Sequence, residues 1–359
     1  MKIRSWAAAF LAGGMVLAAC GEEDGEVVVG DTDDEVIEDD VDDDDDDDDE
    51  AAAEPGEDWP EQLVMTLQPA ENPEDLIDDA QVLGDMISER LGVEVVAEVP
   101  DDYQAVIIGL QAGQADIGGG FGPVNVARAM DQAGAEPILQ SERFGEFLYV
   151  SQWFTNDPDT FCADEPVEEI YEEDGEQYTM LFCNGVNELE SSEDGPVGLE
   201  MLEHVGDVPI SFVSEGSASG QVFPAHGLIQ AGYDLGELDT FTSGGHPESA
   251  LSVYNDDATV GVSYNDVRED LVAEFPDIGE EVVVFAWSDP IPNDGFVIRG
   301  DLPDDLKRAV TDALLDVAQD EVDGEVLLEL YNIDGFREAD PADFEVAREV
   351  DRELGELLD

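Results

Sequence analysis

Basic side chains are scarce in this chain. Its 359 residues include 12 Lys+Arg against 93 Asp+Glu, which gives a formal net charge of −81 at pH 7. Nucleic-acid binding needs clustered lysine and arginine, so we expect no nucleic-acid partner, and docking on anionic lipid by charge is disfavoured for the same reason. A folded chain this acidic repels itself unless salt screens its charges, and the Debye length falls to about 3 Å at 1 M salt. We therefore predict a surface adapted to high salt. A generally acidic exported protein is the alternative.

Apolar runs long enough to cross a membrane are missing as well. The run Ala7 to Ala19 is shorter than the roughly 20 apolar residues that a transmembrane helix needs, and it fits a signal-peptide core. It ends in Leu-Ala-Ala-Cys-Gly at 17–21, the pattern of a bacterial lipobox, in which the signal is removed before Cys20 and the thiol is lipidated. We therefore predict that residues 1–19 are a lipoprotein signal peptide and that Cys20 anchors the chain on the outer (periplasmic or extracellular) face of the cytoplasmic membrane. An ordinary signal peptide with a chance cysteine is the alternative.

Residues 20–58 are dominated by acidic side chains, including eight consecutive aspartates from Asp42 to Asp49. Like charges at this density repel one another and extend the chain, so we expect a disordered acidic linker. The run lacks the Asp-x-Asp-x-Asp-Gly loop that chelates calcium, which argues against a specific metal site.

Cysteine and histidine are also rare, with three of each. The histidines show no zinc-ligand spacing and the cysteines form no Cys-x-x-Cys pair, so we expect no metal centre and no cofactor. Cys162 and Cys183 lie 21 positions apart around an acidic, turn-rich stretch of an exported chain. They are therefore expected to form a disulfide that staples this excursion.

Strand and helix patterns alternate from Trp59 onward. Leu63 to Leu67 is typical of a buried strand, a helix is predicted from Asn72-Pro73 to Leu91, and 93–99 is typical of the next strand. This alternation predicts an α/β fold with a mainly parallel sheet. The other predicted elements are strands at 115–118, 208–213, 260–263 and 282–287, helices at 103–112, 221–231 and 247–255, and three C-terminal helices that begin near Pro303, Gly324 and Asp340.

The segment 214–221, Ser-Glu-Gly-Ser-Ala-Ser-Gly-Gln, lies between a predicted strand and a predicted helix. Small hydroxyl residues at a helix start offer free backbone N–H groups and hydroxyl donors, so this segment is a candidate oxyanion site that needs no lysine or arginine. Plain helix capping by serine is the alternative. On paper, Ser219, His246 and Asp266 also assemble into a hydrolase triad, although the sequence provides no geometry for one.

Several motifs occur in the order found in one transport family. They are Ser217-Ala218-Ser219-Gly220, Gly245-His246 and the run Ser288 to Asp294, with weaker matches at Tyr103 to Ile107 and Ile333 to Phe336. In this order they resemble the substrate-binding proteins of phosphate/phosphite/phosphonate ABC importers. The resemblance covers most of residues 60–350.

The resemblance implies a two-lobed periplasmic-binding-protein-like fold of type II. It has mostly parallel central sheets and a hinge of two crossing strands, preceded here by the signal peptide and the disordered acidic tether. We expect lobe 1 to comprise 59–152 plus 288–359, and lobe 2 to comprise 153–287 with the Cys162–Cys183 insertion.

The resemblance also implies a set of ligand-binding residues. Ser217 and Ser219, at the Ser-x-Ser-Gly helix start, match the hydroxyls that hold the phosphonyl oxygens, and Ala218 stands where the family often has threonine. The remaining matches are Gly220 in the same motif, Tyr103 and Tyr149 from the other lobe, His246 and Asp294 in the pocket, and Asp266 toward the organic end of an amino-phosphonate.

We therefore expect a lipid-anchored, monomeric solute receptor without catalytic activity. It would capture a phosphonate, phosphite or phosphate oxyanion by closing its lobes and present it to an ABC permease. Asp266 and Asp294 would favour protonated oxyanions or amine-bearing phosphonates. The alternatives are a receptor for another small molecule, such as a sulfonate or a thiamine precursor, an exported hydrolase, or a structural surface lipoprotein.

Overall fold

The computed structural model describes residues 55–56, 58–69, 73–100, 103–173 and 175–358. The predicted signal peptide, the lipidation site at Cys20 and nearly all of the acidic linker lie outside these residues. Within them, no helix combines the length and the apolar content needed to cross a bilayer.

The described residues contain fifteen strands, numbered in chain order. The first eight are β1 (Gln62–Leu67), β2 (Glu94–Glu98), β3 (Ile117–Phe121), β4 (Ala135–Glu142), β5 (Leu148–Tyr149), β6 (Ser151–Thr155), β7 (Val167–Glu173) and β8 (Glu176–Phe182). The remaining seven are β9 (Ile210–Phe212), β10 (Thr240–Thr242), β11 (Val260–Tyr264), β12 (Val283–Trp287), β13 (Ile291–Pro292), β14 (Gly295–Arg299) and β15 (Gly335–Glu338).

Ten α-helices accompany these strands in the described residues. They are α1 (Pro73–Leu91), α2 (Tyr103–Gln111), α3 (Pro123–Arg128), α4 (Pro158–Phe161), α5 (Phe223–Gln230), α6 (His246–Tyr254), α7 (Ile278–Glu281), α8 (Asp304–Gln319), α9 (Glu325–Tyr331) and α10 (Glu345–Leu358). A π-helical turn, Ala218–Val222, leads directly into α5, and a 3₁₀ segment, Leu199–Asp207, precedes β9.

The strands form two large sheets and one small one. The first sheet has the order β15-β4-β14-β3-β1-β2 and the second has the order β10-β9-β11-β6-β12-β8-β7. Strands β5 and β13 pair antiparallel with each other as a separate ribbon. Because β5 lies between β4 and β6 in the chain, and β13 between β12 and β14, the chain passes between the sheets at this ribbon. These are the two crossing strands that the resemblance implied.

The prediction of mostly parallel sheets was wrong in detail, because both sheets are mixed. In the first sheet β1 is parallel to β2 and β3, but β14 is antiparallel to β3 and β4. In the second sheet β6 is antiparallel to both β11 and β12. The chain crossings explain this. Strands β6 and β14 each enter their sheet directly from the ribbon, at the edge where the parallel strands end, and therefore run antiparallel to those strands.

The first sheet is covered by helices whose apolar faces are visible in the sequence. In α1 the residues Leu76, Ala80, Leu83, Ile87 and Leu91, spaced three or four apart, are all buried. They pack in one apolar cluster with β1 and with residues of α8 and α9. Helices α8 and α9, near the C-terminal end of the chain, therefore complete the core that β1 and α1 begin.

The C-terminal helix α10 joins the two sheets. Its residues Ala347, Val350 and Leu354 belong to the apolar cluster of the second sheet, together with Val124 of α3. On its polar side, Asp351 accepts a hydrogen bond of 2.7 Å from Nη2 of Arg128 in α3. The helix thus contacts elements associated with both sheets.

The predicted disulfide is confirmed. Cys162, which follows α4, is bonded to Cys183, which follows β8, with 5.6 Å between their Cα atoms. The antiparallel hairpin β7–β8 extends the second sheet at its edge, and the bond ties the base of this hairpin to α4. The excursion is therefore an ordered addition to the second sheet.

Removing the disulfide is expected to destabilise the protein by about 3 kcal/mol, because a loop of this length constrains the unfolded chain. The measurement is denaturant unfolding of a Cys162→Ala/Cys183→Ala variant. Wild type unfolded under reducing conditions serves as the control and should match the variant. Equal stability of oxidised wild type and variant would contradict a stabilising role for the bond.

Candidate functional site

The topology of the first sheet brings four loops to one edge. Strands β1, β3 and β4 run in the same direction, since β3 is parallel to β1 and both β3 and β4 are antiparallel to β14. Their carboxyl ends lead into Gln68, Gly122 and Arg143, and the amino end of β14 follows Asp294. In α/β sheets, ligands bind in the crevice at this carboxyl edge.

The second sheet has an equivalent edge. Strands β9, β10 and β11 are parallel, and their carboxyl ends lead respectively into the serine segment at 214–220, into His246 and into Asp266. Three of the predicted ligand-binding segments, which are far apart in sequence, therefore meet at one edge of one sheet.

The serine segment forms the tight turn that the sequence predicts at a helix start. Ser217 is the N-cap of the π-helical turn, and its Oγ accepts a hydrogen bond of 3.1 Å from the N–H of Gly220. A Cβ on Gly220 would lie 2.4 Å from Val213, so the close approach of the two segments requires glycine. The N–H of Gly220 is therefore used internally, while those of Ala218 and Ser219 have no partner among the described residues.

His246 connects the serine turn to β11. Its Nε2 lies 3.4 Å from Oγ of Ser217, its Nδ1 lies 2.8 Å from Oγ of Ser263, and its ring packs 4.6 Å from that of Tyr264. Burial, assisted by the positive charge of Arg143, lowers the pKa of His246 to about 3. At neutral pH the imidazole is therefore uncharged and hydrogen-bonds between two serine hydroxyls.

Asp294 is paired with an arginine that the sequence analysis did not identify. Nη2 of Arg143 donates a hydrogen bond of 2.6 Å to Oδ2 of Asp294. The turn that carries Arg143 is fixed in turn by Nδ2 of Asn293, which donates to the carbonyl of Glu146 at 2.8 Å. Burial raises the pKa of Asp294, and the charge and hydrogen bond of Arg143 oppose that effect without overcoming it.

Asp266 is paired as well. Arg268 donates from Nε at 3.0 Å and from Nη2 at 2.6 Å to the two carboxylate oxygens, and Nε2 of Gln152 adds a third hydrogen bond at 2.8 Å. Burial alone would raise the pKa of Asp266, but the charge and hydrogen bonds of Arg268 outweigh it and hold the pKa below its ordinary value. Asp266 is thus an ionised carboxylate in a fork-shaped ion pair.

The two edges face each other across the ribbon. A Cβ on Gly216, beside the serine turn, would lie 3.2 Å from Nη1 of Arg128 in α3. Arg143, which follows β4 of the first sheet, is also close enough to His246, which follows β10 of the second, for its positive charge to lower the pKa of that imidazole. Ser217 and Ser219 are 6% and 3% exposed, so the serine turn is enclosed between elements of the two sheets.

The other predicted residues fall in different places. Tyr149 lies in β5, half-buried and paired with Ile291 of β13, so it belongs to the ribbon between the sheets. Tyr103 begins α2, and its side chain lies outside the described part of the chain. Neither Ser219 nor Asp266 hydrogen-bonds to His246 among the described residues, since the ring nitrogens face Ser217 and Ser263, and these three residues therefore form no hydrolase triad.

Two surface concavities lie away from this site. One, of about 410 Å³, is lined by the end of α2 and by Arg299 and Asp301, and the other, of about 340 Å³, is lined by α5 and Trp153. Neither is lined by Ser217 or His246. Neither concavity therefore coincides with the serine turn.

Sequence reasoning missed both arginines. Arg268 stands two residues after Asp266, so a local pair could have been proposed, but Arg143 and Asp294 are 151 positions apart. The signal that could have identified them is the scarcity of basic residues. Because the chain has only 12 of them, an arginine close to a predicted pocket residue is a candidate partner for it.

Comparisons with known proteins yield a family match. The family model described as "ABC transporter, phosphonate, periplasmic substrate-binding protein" matches residues 65–344. The phosphate-import protein PhnD of Mycolicibacterium smegmatis is 22% identical over 239 residues. This match covers 64% of this chain, and the chain spans 64% of the length of that curated relative.

Two solved structures share the fold. A binding protein component of an ABC phosphonate transporter from Pseudomonas aeruginosa is 20% identical with a TM-score of 0.61, over 82% of this chain and 87% of that one. PhnD1 from Prochlorococcus marinus, in complex with methylphosphonate, is 19% identical with a TM-score of 0.61, over 83% of this chain and 99% of that one. These likenesses confirm the predicted two-lobed periplasmic-binding-protein fold.

The family match confirms the resemblance seen in the sequence motifs. It extends over most of the folded part of the chain, including the serine turn, His246, Asp266 and Asp294. The family is one of substrate-binding components of transporters and not of enzymes, as predicted. The chain belongs to the family of periplasmic substrate-binding proteins of phosphonate ABC transporters.

Proposed function

We propose that this protein is the lipid-anchored receptor of an ABC importer for a phosphorus oxyanion, either phosphonate, phosphite or phosphate. The observation that carries the proposal is the serine turn, whose hydroxyls and free N–H groups lie beside a neutral histidine where the carboxyl edges of the two sheets meet. Hydrogen-bond donors of this kind recognise a tetrahedral anion without needing a net positive charge.

In this proposal the two crossing strands, β5 and β13, act as the hinge for ligand capture. Lobe 1, residues 59–152 plus 288–359, carries Tyr103, Tyr149 and Asp294, and lobe 2, residues 153–287, carries Ser217 and His246. Closure about β5 and β13 brings both sets of residues onto one ligand and excludes water, which strengthens each hydrogen bond. Small-angle scattering should therefore show compaction of the protein when the ligand is added.

The remaining parts of the proposal concern location and partners. Lipidation at Cys20 holds the receptor on the outer face of the cytoplasmic membrane, and the acidic linker lets the folded part reach its permease. The receptor acts as a monomer. Salt at molar concentration screens the repulsion between an anionic ligand and a chain of net charge −81, while short hydrogen bonds in the closed site persist.

Ser217→Ala is expected to weaken ligand binding by about 10- to 100-fold, because it removes one hydrogen bond to a charged ligand. The measurement is calorimetric titration in molar potassium chloride with methylphosphonate, phosphite and phosphate. Ser191→Ala is the matched control, since Ser191 also caps a helical turn and accepts a hydrogen bond from the N–H of Glu193 at 3.2 Å but is not hydrogen-bonded to His246 or to the serine turn.

The control separates capping from ligand contact. Both variants lose a helix cap and some stability, but only Ser217→Ala should lose affinity. Unchanged affinity of Ser217→Ala for every phosphorus ligand that wild type binds would contradict the role of this residue. Binding of none of the three ligands by wild type would contradict the proposed function.

A further inference from the structure

We propose that Arg143 is a ligand-binding residue and that the site selects phosphorus anions without an amino group. The inference rests on the proposed function and deepens it. It departs from the expectation that Asp266 and Asp294 favour amine-bearing phosphonates, because the structure pairs each of these carboxylates with an arginine of its own.

One N–H donor of Arg143 is unused. Its Nη2 is bonded to Asp294, but its Nε is buried and has no hydrogen-bond partner among the described residues. A buried guanidinium N–H without a partner costs free energy until an acceptor arrives. The guanidinium lies at the carboxyl edge of the first sheet and acts on His246 of the second, so the natural acceptor is an oxygen of a ligand held between them.

The pairing of Asp266 is complete without a ligand. Both of its carboxylate oxygens are bonded to the fully buried Arg268, and one also accepts from Gln152. The same guanidinium donates to the carbonyls of Leu181 at 3.0 Å and Val282 at 2.7 Å, which holds it in place. An ammonium group near Asp266 would meet a carboxylate that already has its counter-charge.

The charges of the two ion pairs also disfavour a ligand that carries an ammonium group. Asp266 and Asp294 are each matched by an arginine, and His246 is neutral, so neither of these carboxylates is left without a counter-charge for an ammonium group. If Asp294 takes up a proton, as its burial favours, the charge of Arg143 is left unmatched and attracts an anion more strongly. When Asp294 is protonated the site offers an anion the unmatched charge of Arg143, and in neither state does Asp266 or Asp294 present a negative charge without a counter-charge.

The first test uses wild type alone and compares two ligands of nearly equal size. Calorimetry in molar potassium chloride should show ethylphosphonate binding at least about 10-fold more tightly than 2-aminoethylphosphonate, because like charges placed close together are strongly unfavourable. Equal or tighter binding of the amino compound would overturn the inference while leaving the proposed function intact.

The second test uses variants of the pair. Arg143→Gln should weaken methylphosphonate binding by about 10- to 100-fold, since it removes a charge-assisted hydrogen bond. Asp294→Asn should increase that affinity, because it leaves the charge of Arg143 to the ligand. Arg299→Gln is the matched control: Arg299 also pairs with carboxylates and has 22% of its side chain exposed, against 24% for Arg143.

The outcomes separate the two hypotheses. Loss of affinity in Arg143→Gln, with Arg299→Gln unchanged and both folded by circular dichroism, supports the inference. Undiminished affinity in folded Arg143→Gln overturns it, and the proposed receptor function stands. Failure of wild type to bind any phosphorus oxyanion overturns the proposed function and this inference together.

Discussion

Replacing Arg268 with methionine is expected to lower the free energy of unfolding by about 3–5 kcal/mol. Arg268 is 0% exposed, and its guanidinium makes hydrogen bonds to both carboxylate oxygens of Asp266 and to main-chain carbonyls at Leu181 and Val282. Methionine fills part of the same volume but leaves the Asp266 charge buried without a counter-charge, and a buried charge without a counter-charge is far more costly than a missing surface contact.

The measurement is denaturant unfolding in molar salt, with two comparisons. Arg299→Gln breaks ion pairs to Asp116 and Asp301 at the surface and should cost at most about 1 kcal/mol. The double variant Asp266→Leu/Arg268→Met removes both charges and should recover most of the loss. A single variant Arg268→Met as stable as Arg299→Gln would show that water reaches the Asp266 carboxylate and that the pair is not isolated from solvent.

The two ion pairs, Arg268–Asp266 and Arg143–Asp294, show how much of the site the sequence could predict. The motif order singled out the serine turn, His246, Asp266 and Asp294, and the predicted strands at 208–213 and 260–263 precede the serine turn and Asp266. No strand was predicted beside His246 or Asp294, where the structure has β10 and β14. The arrangement of these residues at two facing edges follows from strand direction. The chemical partners of the two carboxylates did not follow, because a salt bridge such as Arg143–Asp294 depends on the pairing of β4 with β14, which no local pattern encodes.

The fold was predictable in its elements and less so in its connections. Helix α1 was expected to run from Pro73 to Leu91 and does, because proline and the apolar spacing mark it locally. The mixed direction of the sheets was not, because alternating strands and helices favour parallel pairing unless the chain crosses to another sheet. The crossings at β5 and β13 are only two residues long each, too short to leave a periodic signal.

The stability of the protein is expected to fall as the pH drops below about 6.5, through His246. In the folded protein, burial and then the charge of Arg143 lower the pKa of His246 to about 3, so its imidazole stays neutral. In the unfolded chain an ordinary histidine takes up a proton near pH 6.5. The unfolded state therefore binds more protons between these values, and the stability contribution of His246 is complete above pH 6.5 and lost as the pH falls toward 3.

The expected slope is about 1.4 kcal/mol per pH unit, which accumulates to about 3–5 kcal/mol at the acidic end. Protonation of surface carboxylates relieves charge repulsion over the same range, so the quantity to measure is the difference in unfolding free energy between wild type and His246→Gln in molar salt. That difference should shift against wild type as the pH falls, whereas the exposed imidazole of His204 gives a control variant, His204→Gln, that should track wild type. A difference independent of pH would mean that the folded protein accepts a proton on His246 as readily as the unfolded chain does. The serine turn would then face a cation in acid, and anion binding there would strengthen as the pH fell instead of depending on neutral donors.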